Sequence, residues 1–266
     1  MNRKIPPLSG QEPELGGRHS LRQTGMEPAL SREFGPLYGR FRLEGLEAPP
    51  VEGRRRPLVV LADYDDSTAE LAHLLADSNG YEVRRTDNGR EAWGLVRALE
   101  PNMLVVNIRL PGINGLDLIQ RVRSAAEETV SRTPILIMDA RYGRQALLAA
   151  FKNGADDYLE MPYEVPVMLR CWHRVVKGPL RPPPLTALFN EDVMIRQVAL
   201  SYLLEARPSG LELGLGELLW QPDPVLRSAA QWALRWLGTE EALAVLERTR
   251  NVWQADETSA PPPIIS

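Results

Sequence analysis

Five times between Pro57 and Lys177, a short β-type run gives way to a stretch whose apolar residues return every three or four positions. The runs are Leu58-Val59-Val60-Leu61-Ala62, Tyr81-Glu82-Val83-Arg84-Arg85, Met103-Leu104-Val105-Val106, Pro134-Ile135-Leu136-Ile137-Met138 and Asp157-Tyr158-Leu159-Glu160. The helical stretches carry Leu71, Leu74 and Leu75; Trp93, Val96 and Leu99; Leu116, Leu118, Ile119 and Val122; Leu147, Leu148 and Phe151; and a last one runs from Val165 to Val176. Asp66 or Ser67 is placed to cap the first helix, and Asn88-Gly89 opens the second. Apolar strands separated by amphipathic helices predict a parallel sheet buried on both faces, with right-handed crossovers. The expected fold class is therefore α/β, an open five-stranded parallel sheet over residues 57–180. In such a sheet the residues at the carboxyl ends of the central strands face the functional crevice, and after the third strand that residue is Asn107.

The flanks read differently. Residues 1–56 are rich in Pro, Gly, Arg and Glu without a sustained period and are expected to be disordered, because little apolar surface offsets the entropy of ordering. Within them, Phe34 to Phe41 places three aromatics in a basic stretch, a candidate segment for folding on a partner. Arg181-Pro182-Pro183-Pro184 reads as a stiff, extended linker into a helical domain over 181–254. The tail 255–266 is expected to be disordered.

Charge changes along the chain. Residues 1–56 carry ten Lys/Arg against seven Asp/Glu, 57–180 fourteen against seventeen, and 181–266 seven against eleven, so the net charges +3, −3 and −4 sum to −4. Only the first segment is basic, so nucleic-acid binding is not expected of the globular parts. One cysteine, Cys171, excludes an internal disulfide and suits a reducing compartment. With no apolar run long enough to span a bilayer and no leader-like start, a cytoplasmic protein is expected.

The blocks LVVLAD, PNMLVVNIRLPGINGLDLIQRVR, TPILIMDAR and GADDYLEMPY resemble, in order and spacing, those of two-component receiver domains of bacterial response regulators. The resemblance implies the receiver fold, and it implies an active site that this sequence departs from. Where the family pairs two acidic residues after the first strand to hold magnesium, this chain has Asp63 and Tyr64. The phosphoacceptor aspartate reads Asn107, the Thr or Ser of the fourth strand reads Asp139, and the Lys before a cis proline reads Met161 before Pro162. The aromatic partner of the family switch is kept as Tyr158. Phosphoryl transfer needs an ionised oxygen nucleophile and a bridging cation. Asn107 offers a neutral amide, Tyr64 removes a carboxylate, Met161 cannot neutralise a phosphate, and Asp139 adds a charge that repels one. No catalytic residue, metal or cofactor is therefore expected. The alternatives are a cation held by Asp63, Asp65 and Asp139 in another manner, or Arg109 folded back onto these carboxylates, although Arg109 reads first as a solvated loop residue. His73 and His173, with Cys171, form no metal-ligand spacing.

Family members meet partners or dimerise through the fourth helix, fifth strand and fifth helix. Positions that carry charges there in the winged-helix regulators read Val167 and Cys171, which favours a more apolar contact, with a partner or with this chain's own C-terminal segment. That segment repeats itself. EDVMIRQVALSYLL and DPVLRSAAQWALRWL align at an offset of 31 residues, pairing Ile195 with Leu226, Arg196 with Arg227, Ala199 with Ala230 and Leu203 with Leu234. Acidic caps at Asp192 and Asp223, small residues where helices touch and this period are similar to HEAT-like repeats. Two units are fewer than such repeats need alone, a shortfall that packing on the receiver would cure. A generic four-helix bundle is the alternative. Trp220, Trp232 and Trp236 are expected mainly in the core.

The expected function is a phosphorylation-independent signalling adaptor or scaffold that binds protein partners, with oligomerisation open. Its candidate contacts are Val167, Cys171, Phe151, Trp232 and Trp236. The alternative is a transcription regulator contacting DNA through its helical domain or basic N-terminal arm.

Overall fold

The computed structural model describes residues 47–53, 56–140, 143–178 and 180–257; the aromatic segment at 34–41 and the tail from 258 lie outside them. The five apolar runs form strands β1 (Leu58–Ala62), β2 (Glu82–Thr86), β3 (Met103–Val106), β4 (Ile135–Asp139) and β5 (Asp157–Glu160). They pair in parallel in the order β2-β1-β3-β4-β5, the doubly wound, flavodoxin-like order. The crossover helices are α1 (Asp66–Ser78), α2 (Gly89–Leu99), α3 (Gly115–Arg123), α4 (Arg144–Lys152) and α5 (Val165–Lys177), with one extra helical turn at Glu128–Ser131.

Alternation along each strand splits the core in two. Val59, Leu61, Met103, Val105, Leu136 and Met138 face α1 and α5, whereas Val60, Ala62, Leu104, Val106, Ile135 and Ile137 face α2, α3 and α4. On α1 the buried stripe is Ala69, Ala72, Leu75 and Ala76, so Leu71 is exposed: the small alanines, which weigh little in a hydrophobicity pattern, set the inward face. Asp65 is the residue that caps this helix, through Thr68 N–H.

The N-terminal flank is ordered further than its composition indicates. Ala48 N–H donates to Asn79 C=O, the Glu47 carbonyl lies 3.1 Å from His173 Nδ1, and Ala48 and Val51 pack on the α1/α5 side. Arg56 is ion-paired with Asp77.

After α5 the chain does not become an extended spacer. Pro184 is buried, and Leu185–Phe189 winds into a 3-10 turn that packs on β5 and the helix that follows, with Leu185 and Leu188 in the core. Four helices follow: α6 (Val193–Ala206), α7 (Leu211–Leu218), α8 (Pro224–Leu237) and α9 (Glu240–Glu257), the last running three residues into the expected tail. α6 packs on α4, and one continuous apolar core passes from Phe151 and Tyr158 to Ile195, Val198 and Leu234. α7 approaches the linker so closely that a Cβ on Gly214 would stand 2.3 Å from the Arg181 carbonyl oxygen. No helix among the described residues is long and apolar enough to cross a membrane.

The 31-residue recurrence extends to the backbone. Asp192 caps α6 and Asp223 caps α8. Arg196 donates to the Asn190 and Glu191 carbonyls, and Arg227 to those of Gln221 and Pro222. α6 ends on Arg207 at φ 44°, and α8 on Gly238 at φ 61°, each closing back on the matching carbonyl, Leu203 or Leu234. The two pairs differ on one face, where Leu200, Leu204, Leu218 and Leu219 of the first answer to Gln231, Arg235, Thr249 and Arg250 of the second.

Candidate functional site

The register that sets Ala62 beside Val106 also sets Asp63 beside Asn107 at the carboxyl ends of β1 and β3. The loop after β3 turns tightly into α3, and Gly115 is required there because a Cβ would lie 2.4 Å from the Asn107 carbonyl oxygen. Asn114 caps α3 through Asp117 N–H. Asp63, Asn107 and Asp139 are all buried.

Their bonds define the pocket. Asn107 Nδ2 donates to Asp63 Oδ1 over 3.1 Å, and its Oδ1 accepts from Arg109 N–H over 2.9 Å. Asp63 Oδ1 also accepts from Asp65 N–H, while its Oδ2 is buried without a partner. Asp139 Oδ2 accepts from Ile108 N–H at 3.2 Å. Burial pushes the Asp63 carboxyl above its ordinary value; the bonds from Asp65 and Asn107 oppose this, and the charges of Asp65 and Asp139 add to it. Tyr163, just past the cis Met161–Pro162 bond, has a buried hydroxyl with no partner. Burial, and then the Asp63 charge, push that phenol up to about 12.

Tyr64 is 38% exposed at the rim, and the Arg109 guanidinium lies 5.0 Å from its ring centre. Arg109 therefore neither floats free nor folds back onto the carboxylates; it stacks over the residue that replaces the second acid. Met161 is half-buried against the α1/α5 core, and Tyr158 is fully buried in the core beneath α4.

The magnesium implied by the receiver resemblance does not fit this donor set. A hard cation needs several oxygens in near-octahedral array. Here the Asn107 side-chain oxygen Oδ1 accepts from Arg109 N–H, its amide nitrogen faces Asp63, and Tyr64 lies outward under Arg109. Among the described residues no group of three or more His, Cys, Asp or Glu is placed to hold a metal ion.

The second candidate region, the α4–β5–α5 face, is occupied by the chain itself. Phe151 and Cys171, expected as partner contacts, are buried. Phe151 points into the core that α6 extends, and Cys171 turns inward to Asp157, its Sγ 3.5 Å from Oδ2. Burial, followed by the Asp157 charge, raises the Cys171 thiol well above its usual range. Val167 is half-buried beside Met161 and Val165. Two fully buried carboxylates lock this junction. Asp156 receives Arg123 at 2.7 Å, Ile135 N–H at 2.7 Å and Arg181 at 3.1 Å. Asp157 receives Arg174 and, over 2.7 Å, Asn190 Nδ2, which also reaches the Tyr158 carbonyl. Sequence reasoning missed this set. Its signals were two adjacent acids opening a buried strand and an arginine leading the proline run.

Trp232 and Trp236, expected mainly in the core but also named as candidate contacts, are both exposed, as is Trp220, which sets aside only the core placement. The phase of α8 explains it: Leu226, Ala230, Ala233, Leu234 and Leu237 take the inward face, and the tryptophans fall outside that arc.

Comparison with known proteins follows the same division. Residues 59–170 match the family described as the response regulator receiver domain. The DNA-binding dual master transcriptional regulator RpaA of Synechocystis sp. is 29% identical over 113 residues, 42% of this chain and 46% of that one. The DNA-binding response regulator MtrA of Mycobacterium leprae is 31% identical over 141 residues, 53% of this chain and 60% of that one. The chain thus spans about half the length of the curated relatives it matches. Among solved structures, the Francisella response regulator 1452 receiver domain is 24% identical, covering 46% of this chain and 98% of that one, with a TM-score of 0.42.

Proposed function

We propose that the receiver domain at residues 59–170 has become a non-catalytic platform, and that the protein is a phosphorylation-independent adaptor in two-component-type signalling. One observation carries this reading: at the phosphoacceptor position stands Asn107, whose amide is engaged on both sides, by Asp63 and by Arg109 N–H. Such a group is not an ionised nucleophile, and its neutral oxygen is a weaker cation ligand than the carboxylate it stands in for. The covering of α4 and β5 supports the same reading, because α6 and the 3-10 turn of this chain lie on part of the surface that family members use with partners. The 31-residue recurrence of caps, arginine bonds and left-handed ends supports a HEAT-like reading of α6–α9, a scaffold type that presents helix faces to proteins.

The test is intact mass spectrometry of the full chain after incubation with a small acyl-phosphate donor and magnesium. No phosphoryl adduct is expected; a stoichiometric, hydroxylamine-labile adduct overturns the reading. The names of RpaA and MtrA favour a second one, a DNA-binding regulator. A gel shift across a salt series separates the two, since phosphate contacts give a steep loss of affinity with salt.

A further inference from the structure

Along α8 the residues Val225, Ala229, Trp232 and Trp236 follow one another at spacings of four, three and four, so they form a single stripe on one side of the helix. Val225 is 71% exposed, Trp232 54% and Trp236 51%. The stripe borders a groove of about 540 Å³ between α6 and α8, whose apolar lining includes Leu188, Leu200, Leu218, Val225 and Ala229. Monomeric surfaces seldom keep two tryptophans and a valine in one exposed row, and tryptophan and arginine are the commonest energetic anchors of protein interfaces. The first helix pair has no such row: the counterparts of Val225, Trp232 and Trp236 are Met194, Ser201 and Glu205. The row is therefore a property of α8 and not of the repeat.

Charge identifies the occupant. α6 and α8 with their cap residues carry four arginines (Arg196, Arg207, Arg227, Arg235) against three acids (Asp192, Glu205, Asp223), a net +1. α7 and the part of α9 up to Arg250 carry five acids (Glu212, Glu217, Glu240, Glu241, Glu247) against two arginines, a net −3. The acid of this domain is thus concentrated on α7 and α9, and the C-terminal end of the stripe is flanked by two arginines. Arg207 stacks on Trp236 at 5.4 Å, and Arg235 is its exposed neighbour on α8. Stacking keeps the Arg207 cation beside an apolar anchor, where a carboxylate can meet it.

We propose that this face of α8 docks an acidic amphipathic helix of a partner protein. The helix lays an apolar stripe against Val225, Trp232 and Trp236, and its flanking carboxylates meet Arg207 and Arg235, a helix-in-groove contact. This deepens the adaptor reading by naming the chemistry of the protein bound.

The experiment uses the full chain and a synthetic helical peptide with leucine and phenylalanine on one face and glutamate on the flanks, read by fluorescence anisotropy. Saturable binding is expected, weakened at least about tenfold by Trp232→Ser with Trp236→Ser. Arg207→Glu with Arg235→Glu is expected to weaken it and flatten its salt dependence. Both pairs change exposed side chains, and circular dichroism checks that they fold. The proposal is overturned if the acidic peptide does not bind, if the serine variant binds it equally, or if a lysine-flanked version binds as well. It is also overturned if concentration-dependent self-association, abolished by the serine variant, shows that a second copy covers the stripe. Binding seen only after treatment with the phosphodonor and magnesium sinks phosphorylation independence and leaves the surface standing. Absence of binding with no phosphoryl adduct does the reverse.

Discussion

Two sets of buried aspartates lie at opposite ends of the same sheet, and their surroundings could hardly differ more. At the carboxyl ends, Asp63 has one oxygen bonded and the other without a partner, with Asp139 adding charge nearby. At the start of β5, Asp156 and Asp157 are just as buried, but three arginines, an asparagine and two backbone N–H groups converge on them. Charge complementarity has left the pocket where the receiver resemblance implies a cation and is concentrated where the helical domain joins the sheet. A buried carboxylate is tolerable when fully bonded and costly when not. Burial raises the Asp156 carboxyl as well, against the pull of Arg123 and Arg181, so the two ends differ in bonding: one leaves a carboxylate oxygen without a partner, and the other ties its carboxylates to the helical domain.

The largest expected effect comes from breaking the lock. Asp156→Ala leaves Arg123 and Arg181 buried or half-buried without their carboxylate, and is expected to cost about 3–5 kcal/mol in urea unfolding. Next is a change of shape that spares every charge. Gly214→Ala drives a methyl group against the Arg181 carbonyl and Leu185 and is expected to cost about 1–3 kcal/mol. A loss as large as that of Asp156→Ala would mean that close approach, more than charge, holds the junction. Asn190→Ala removes donors to Asp157 and to the Tyr158 carbonyl and is expected to cost about 1–3 kcal/mol by the same measurement.

The smallest effect has the opposite sign. Folding raises the Asp63 carboxyl above its unfolded value of 3.8, so its ionised form destabilises the fold at neutral pH. That cost disappears as pH falls through the folded value. Asp63→Asn is expected to raise the melting temperature by a few degrees near neutral pH, with the gain shrinking towards pH 4. A pH-independent gain, or a loss, would show that the Asp63 charge is not the source of that cost.

The strands and the pocket were legible in sequence because their signals are local. β1, β3 and β4 are continuous apolar runs, and Asp63, Asn107 and Asp139 each end one. The repeat was legible because it compares the chain with itself, and the offset that pairs Arg196 with Arg227 also pairs Arg207 with Gly238 in the backbone. What failed depended on distant partners. The proline run at 181–184 has the composition of a spacer, but Leu185 and Leu188 find the apolar sides of β5 and α6. Phe151 and Cys171 were assigned to an open surface that α6 and Asp157 close from later or opposite positions in the chain. The tryptophans of α8 misled in the other direction, because residue type says how apolar a side chain is and only helical phase says which way it points.

The core shared by α4 and α6 has a consequence in time. A chain made from its N-terminus completes the receiver strands tens of residues before α6 and α8 exist, at roughly 5–20 residues per second. During those seconds the apolar side of α4 and β5 has no cover, so the interval before α6 docks is when the nascent protein is most open to chaperones and to aggregation. Slowing translation beyond Phe189 would lengthen that exposure without changing a residue of the finished protein.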